Sequence, residues 1–256
     1  MTGAFDIGAV GLVAQKQALD VIANNIANIN TPAFKRSDVR FSEVMATRAD
    51  NANPSARLTQ DPALSGVSAQ SFLNITGQGQ IDRTDNPLDL AIEGEGFIEL
   101  MGPGGQTLLW RGGVLRVGED GLLSAGDGLP MRAMIAVPAG ASALTVAPDG
   151  RVSARVDGAD QATEIGRLLL VRPENTNALE RLDGGFYRLN DGNRLEELAA
   201  GEDGIGAFVQ GAVERSNVEL NDEMVRLMIV QRAYAANAQI VQAADQMMAI
   251  ANGLRR

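Results

Sequence analysis

Three carboxylates crowd one short stretch of this chain, Glu93, Glu95 and Glu99, interleaved with Gly94 and Gly96. A pair of carboxylates flanking a glycosidic bond can act as acid and base, so this is where hydrolytic chemistry would sit. Carboxylates beside a tight turn are far more often solvated, and that is the reading preferred here. Composition narrows the remaining choices: the 256 residues include no histidine and no cysteine. Imidazole acid-base catalysis, thiolate chemistry, disulfides, the usual zinc sites and the Ser-His-Asp triad are thereby excluded. Asp-Gly pairs at 120–121, 127–128, 149–150 and 191–192 lack the D-x-[DN]-x-[DN]-G pattern of a calcium loop and read as turns. Gly77-Gln78-Gly79 and Gly94-Glu95-Gly96 are too short for a dinucleotide fingerprint, and no Walker A pattern occurs. The expectation is a protein that is not an enzyme and carries no cofactor.

A second set of polar residues suggests recognition instead. Asn24, Asn25, Asn28 and Asn30 fall within seven positions, although asparagine is a poor helix former. They read either as a fraying polar face or as amides that hydrogen-bond across a helix interface and fix its register. Gln231 and Asp245 could register a second helix in the same way, and Tyr234 reads as an interface aromatic with its hydroxyl at the edge.

Positioning these residues falls to the two ends of the chain. Leu12, Leu19, Ile22, Ile26 and Ile29 recur along one stripe of a helix that stops at Asn30-Thr31-Pro32. Near the C-terminus, one stripe carries Leu220, Met224, Leu227, Tyr234, Ala238, Val241 and Met248. A second carries Ile229, Ala233, Ala236, Ile240, Ala243, Met247, Ile250 and Leu254. An offset of two residues rotates the second stripe by about 200°, so this helix has apolar residues on opposite sides. Ser216-Asn217-Val218-Glu219 fits a capping box at its start, and Asn252-Gly253 a stop. Burying one stripe alone would leave so long a helix marginal, so the termini are expected to fray in an isolated subunit and to order between neighbours. A two-helix layer inside one globular core is the bland alternative.

Between the helices, residues 36–74 show no sustained period and read as a linker or adaptable arm, with a short helix around Phe41 to Arg48. Short alternating runs broken by glycine then indicate strands. Leu88–Ile92 and Phe97–Leu100, flanking Glu93-Gly94-Glu95-Gly96, read as a hairpin, with further strands at 108–110, 114–117, 134–137, 144–146, 152–156 and 168–171. The predicted fold class is α+β, with paired long N- and C-terminal helices, coiled-coil-like, flanking a central antiparallel β domain. The expected divisions are 1–35 (N-terminal helical core), 36–74 (arm), 75–208 (β domain) and 209–256 (C-terminal helical core).

A formal charge of −10 and a pI near 4.6 disfavour nucleic acid and anionic membrane surfaces as partners. No run approaches the roughly twenty apolar residues of a membrane span, and the first residues lack the basic region of a secretory signal. Sequence physics by itself points to a cytoplasmic protein without membrane insertion.

Several stretches resemble one known family. The run from Gln17 to Lys35, with Asn24-Asn25-Ile26-Ala27-Asn28 leading to Thr31-Pro32-Ala33-Phe34-Lys35, resembles the N-terminal signature of the bacterial flagellar rod and hook proteins. Gly211-Ala212-Val213-Glu214-Arg215-Ser216-Asn217-Val218, followed by Gln231-Arg232-Ala233-Tyr234, resembles their C-terminal signature. Asn86 to Phe97 is similar to the start of their β domain. Ile135-Ala136-Val137-Pro138, Ala147-Pro148-Asp149-Gly150, Ile165 to Val171 and Gly185 to Leu189 look most like the proximal-rod type (FlgF), with the distal-rod type as rival. Two positions and one stretch depart from the pattern. Ala33 replaces a glycine, which favours a type I over a type II turn; Val213 stands for leucine; and Trp110 to Leu115 lacks the usual Thr-Arg and phenylalanine.

The resemblance implies a structural subunit of the basal-body rod that assembles helically and transmits motor torque to the hook. It implies partners in copies of itself, other axial rod proteins and the type III export apparatus, and a place in the periplasm reached without a cleaved signal peptide. The assembly interface expected on this basis comprises Leu12, Leu19, Ile22, Asn24, Asn25, Ile26, Asn28 and Ile29, then Ser216, Asn217, Met224, Leu227, Ile229, Gln231, Tyr234, Ala236, Ile240, Val241, Met247, Met248 and Ile250. A peptidoglycan-acting glycosidase and a rod-capping protein are the alternatives of other classes.

Overall fold

The computed structural model describes residues 2–46, 63–156, 161–176, 179–189, 194–202 and 204–253. It is α+β: helix α1 spans Thr2–Ala27, helix α2 spans Leu220–Gly253, and antiparallel β-structure lies between them in sequence. The chain divides into two compact units. One comprises Met1–Ala27, Ser37–Phe72 and Glu219–Arg256; the other comprises Asn28–Arg36 and Leu73–Val218.

In the helical unit, α1 ends at Ala27, three residues before the predicted stop, and a turn follows. Its buried face is Gly8, Gly11, Ala14, Ala18, Ile22 and Asn25, a small-residue stripe beside the predicted one. Leu12, Leu19 and Ile26 lie half-buried on its flank. Small residues bring α2 close: a methyl added at Gly8 would come within 2.8 Å of Val241, and one at Gly11 within 2.8 Å of Asn237. With Asn25 bonded to Glu223, numbers rise along α1 as they fall along α2, so the helices run antiparallel. At 34 residues, α2 is about 51 Å long.

The expected helix around Phe41 to Arg48 is not formed. Ser37–Ala46 is a strand paired with Ala63–Leu73, a two-stranded ribbon within the stretch read as an arm; Arg48, and the segments 51–54 and 61–62 whose Asn-Pro and Asp-Pro pairs break regular structure, lie outside the described residues. Val39, Phe41, Val44 and Met45 suit an extended strand, and pairing outweighed the weak local helical signal. Arg40 stacks over the Phe72 ring at 4.8 Å across this ribbon.

The β-rich unit contains two four-stranded antiparallel sheets. One is ordered Ala207–Gln210, Asp89–Glu93, Gly112–Val117, Leu123–Ala125; the other Leu179–Arg181, Phe186–Leu189, Thr107–Trp110, Ile98–Met101. A three-stranded sheet of Thr163–Arg167, Arg151–Val156 and Ala141–Val146 and two-stranded pairs complete it. Alternation fills two cores from one strand: Leu108 and Trp110 enter the main core with Leu90, Ile92 and Leu115, while Leu109 faces Phe97, Val171 and Tyr187. The predicted hairpin around Gly94 and Gly96 is corrected, because its two strands belong to different sheets and the glycine turn carries the chain from one to the other. Residues 134–137 form no strand: Met134 has a φ of 44°, and Ala136 makes a single bridge to Leu122. Gly121, Gly128 and Gly150 take positive φ in the Asp-Gly turns; Asp191-Gly192 lies outside the described residues.

Candidate assembly surface

The covered side of α2 is Glu223, Leu227, Val230, Ala233, Asn237, Val241, Ala244 and Met248, each buried or half-buried. This unites members of the first predicted stripe, Leu227, Val241 and Met248, against α1. Leu220, Met224 and Tyr234 of that stripe are instead exposed. Most of the second stripe stays in solvent: Ile229 is 61% exposed, Ile240 52%, Met247 56% and Ile250 64%, with Ala236 and Ala243 among them, whereas Ala233 is half-buried on the covered side and Leu254 lies outside the described residues. Val225 and Met228 extend it toward the start of the helix. Scattered apolar side chains on a surface are ordinary; here they recur along the length of one helix. Gln231 is exposed on the same helix.

Among the four asparagines, Asn25 is buried in the helix contact, at 1% exposure. Its Nδ2 donates to the Ser37 carbonyl at 2.8 Å and to Glu223 Oε2 at 3.3 Å, while its Oδ1 accepts from Ser37 N at 3.0 Å. One of these bonds, to Glu223, joins α1 to α2, and the other two hold the start of the strand Ser37–Ala46 against α1. Asn24 is exposed, and Asn28 accepts from the Thr31 hydroxyl and N–H in the turn after α1. Ile29 is half-buried there. Arg226 pairs with Asp38 at 2.6 Å.

The capping-box expectation is corrected. Helix α2 begins at Leu220, and Ser216 accepts from Val218 N at 3.3 Å in a local turn rather than from an N3 amide. Asn217 has the larger role. Its Oδ1 accepts from Arg36 N at 2.6 Å, and its Nδ2 donates to the carbonyls of Asn74 and Gly77. Asn217 therefore binds the segment leaving α1 to the segment entering α2.

Beside it lies a group of charges that sequence reading missed. Lys35 Nζ contacts Glu214 Oε1 at 2.6 Å, and Arg111 Nε contacts Glu214 Oε2 at 3.1 Å, with all three side chains no more than 3% exposed. Lys35 also donates to Gly77 O at 2.8 Å, Gly79 N donates to Glu214 Oε1 at 2.9 Å, and Arg111 donates to the carbonyls of Gly94 and Gly96. The two short glycine motifs thus line a charge knot. Arg181 covers it, its guanidinium 3.5 Å above the Phe34 ring and its Nη1 donating to Lys35 O. Burial, then the neighbouring Arg111, holds the Lys35 ammonium below the usual lysine range, against the pull of Glu214. The available signal was scarcity: Lys35 is one of two lysines in the chain and follows the apolar Phe34.

The carboxylate cluster does not assemble as an acid and base pair. Glu93 and Glu95 are exposed, and Glu93 lies on a different sheet from Glu99. Glu99 accepts from Thr107 Oγ1 at 3.2 Å and pairs with Arg132 at 3.0 Å in a cleft with Met131, Leu168 and Glu197. Burial pushes its carboxyl upward, partly offset by Arg132. No helix is long and apolar enough to cross a membrane among the described residues.

Comparison with known proteins places similarity along the whole chain. Residues 5–35 match the flagella basal body rod protein family, 91–154 the flagellar hook protein FlgE/F/G D1 domain, and 209–254 the flagellar basal body rod FlgEFG protein C-terminal family. The flagellar basal-body rod protein FlgG of Caulobacter vibrioides is 33% identical over 254 residues, covering 96% of this chain and 97% of the relative. FlgG of Bacillus subtilis is 31% identical over 259 residues, covering 97% of each. The rod protein FlgF of Caulobacter vibrioides is 29% identical over 251 residues, covering 94% of this chain and 93% of the relative. The proximal-rod assignment drawn from sequence is therefore not supported, since similarity is greater to FlgG. The segments that suggested it hold Ile135, Leu168, Val171 and Tyr187, which are buried core positions.

Proposed function

The chain belongs to the flagellar basal-body rod and hook family, a structural component of the rod, and on that premise we propose that it is a distal-rod subunit. In this reading copies repeat by a heterologous, non-closing contact into a helical tube that transmits motor torque to the hook. The observation that carries it is the uncovered apolar row on α2, Met224, Val225, Met228, Ile229, Ile240, Met247 and Ile250, on a chain that matches the rod family at both ends. Neighbouring copies and other axial rod proteins cover that row, and α1 and α2 pair in a coiled-coil-like layer. Helices α1 and α2 form the helical core, Ser37–Phe72 an arm, and Asn28–Arg36 with Leu73–Val218 the β domain. Of the terminal positions named from the sequence, the exposed Asn24, Met224, Ile229, Gln231, Tyr234, Ala236, Ile240, Met247 and Ile250 meet neighbours, while Ile22, Asn25, Leu227, Val241 and Met248 are taken up by the contact between α1 and α2 within the subunit. The subunit reaches the periplasm through the type III export apparatus without a cleaved signal peptide.

The distal assignment draws on the greater similarity to FlgG than to FlgF. Deleting the gene in its own bacterium tests it by electron microscopy of basal bodies. A rod that stops short of its outer part is expected, and a rod lacking its inner part would overturn the assignment. Removing residues 219–256 should abolish rod assembly and swimming; intact motility would refute the assembly role of α2.

A further inference from the structure

The charge knot of the β-rich unit is unbalanced, with two cations, Lys35 and Arg111, sharing the single carboxylate of Glu214 at no more than 3% exposure. The three residues come from distant parts of the chain. Lys35 follows α1, Arg111 lies between two central strands, and Glu214 ends the strand Ala212–Glu214, which pairs with Ile81–Arg83. Carbonyls of Gly77, Gly94 and Gly96 solvate the cations but bring no net negative charge. Buried cations lacking a counter-ion oppose closure more strongly than a complete ion pair favours it.

We infer that Glu214 is a completion switch: the β-rich unit closes around Lys35 and Arg111 only when the segment 207–217 is laid in to neutralise them. A chain that ends before this segment stays open even though most of its β-strands are present. The imbalance gives the switch its sign. Without the Lys35 charge, Arg111 and Glu214 remain as a one-to-one pair, Gly77 O keeps its bond from Asn217, and Glu214 keeps its bond from Gly79. Without the Glu214 charge, two cations are buried together. Removing both charges leaves Arg111 alone with the Gly94 and Gly96 carbonyls. This mechanism is independent of the assembly reading, since every residue in it lies in one unit of a single chain.

The test uses full-length Glu214→Gln, Lys35→Met and the double variant, compared by hydrogen exchange. Glu214→Gln should accelerate exchange about a hundredfold, together, in residues 28–36, 77–100 and 107–117, as loss of one partner of a buried pair implies. Lys35→Met should change it less than tenfold, and the double variant should exchange at least tenfold more slowly than Glu214→Gln. If Glu214→Gln does not fold, recovery of the fold in the double variant supports the switch. Acceleration confined to 207–217, or a double variant no better than Glu214→Gln, would overturn it.

Discussion

Ala33 occupies a backbone conformation that alanine resists, with a φ of 55° in the turn closed by Phe34 N to Thr31 O at 3.3 Å. The type I turn expected for alanine gives way because its N–H is fixed on Glu214 O at 2.7 Å and the next side chain, Phe34, is stacked under Arg181. The left-handed conformation costs an L-residue about 1–2 kcal/mol, whereas glycine gives up about 0.4–1 kcal/mol in unfolded-chain entropy. Ala33 also buries its methyl at 3% exposure, worth about 0.8 kcal/mol, so the relief of strain is largely offset and Ala33→Gly is expected to move stability by less than about 0.5 kcal/mol, read from its urea midpoint. Tyr187 makes a prediction in pH. Burial pushes its phenol from 10.0 up to about 12, ahead of smaller opposing effects of Arg181 and Arg111. Below pH 10 both folded and unfolded chains hold this proton. Between about 10 and 12 the unfolded chain releases it first, so stability falls as pH rises. Replacing Tyr187 with phenylalanine should flatten that alkaline loss in urea titrations at pH 9 and 11 while keeping the ring packed edge-on against Phe97.

Among the elements, α2 has two sides with different tasks, and substitutions should separate them. Ile240→Glu with Met247→Glu alters positions more than half exposed, so the stability of the isolated subunit should shift by no more than about 0.5 kcal/mol per site. Swimming and rod formation should be lost; normal rods from this variant would show that the row is not an interface. Asn25→Leu acts on the opposite side. It leaves the Ser37 amide and Glu223 without their bonds to the amide, and should cost about 2–3 kcal/mol in thermal or urea unfolding. The same change at Asn24, which is exposed, should cost little. Sequence reading left the asparagines as either a fraying polar face or a register device, and four candidates in seven positions have equal local claims. Only the packing of Ser37 and Glu223 around one of them makes the choice.

For the whole molecule, the proposal that the terminal helices order fully only among neighbours has a direct readout. In the isolated subunit, amides of α1 and α2 should exchange faster than those of the strands at 89–93 and 107–110, whose side chains are almost entirely buried. Exchange in both helices should slow on assembly into rods. Equal protection in helices and strands of the monomer would mean that α1 and α2 need no neighbour.

The amino-acid sequence by itself determined the α+β class, the two terminal helices, the two-sided character of α2 and most strand positions, because periodicity, glycine and proline act over a few residues. The rod and hook family was legible for the same reason, since its signatures are continuous runs. Tertiary structure alone decided which face of α1 is buried, because close approach at Gly8 and Gly11 outweighed the larger side chains one position away. It decided that the strands around Gly94 and Gly96 part into different sheets, since hydrogen-bond partners are chosen across the fold. It also decided that Lys35, Arg111 and Glu214 meet. No local pattern joins residues 76 and 103 positions apart; that contact exists only because burial of the surrounding strands brings them together and leaves the charges no water to face.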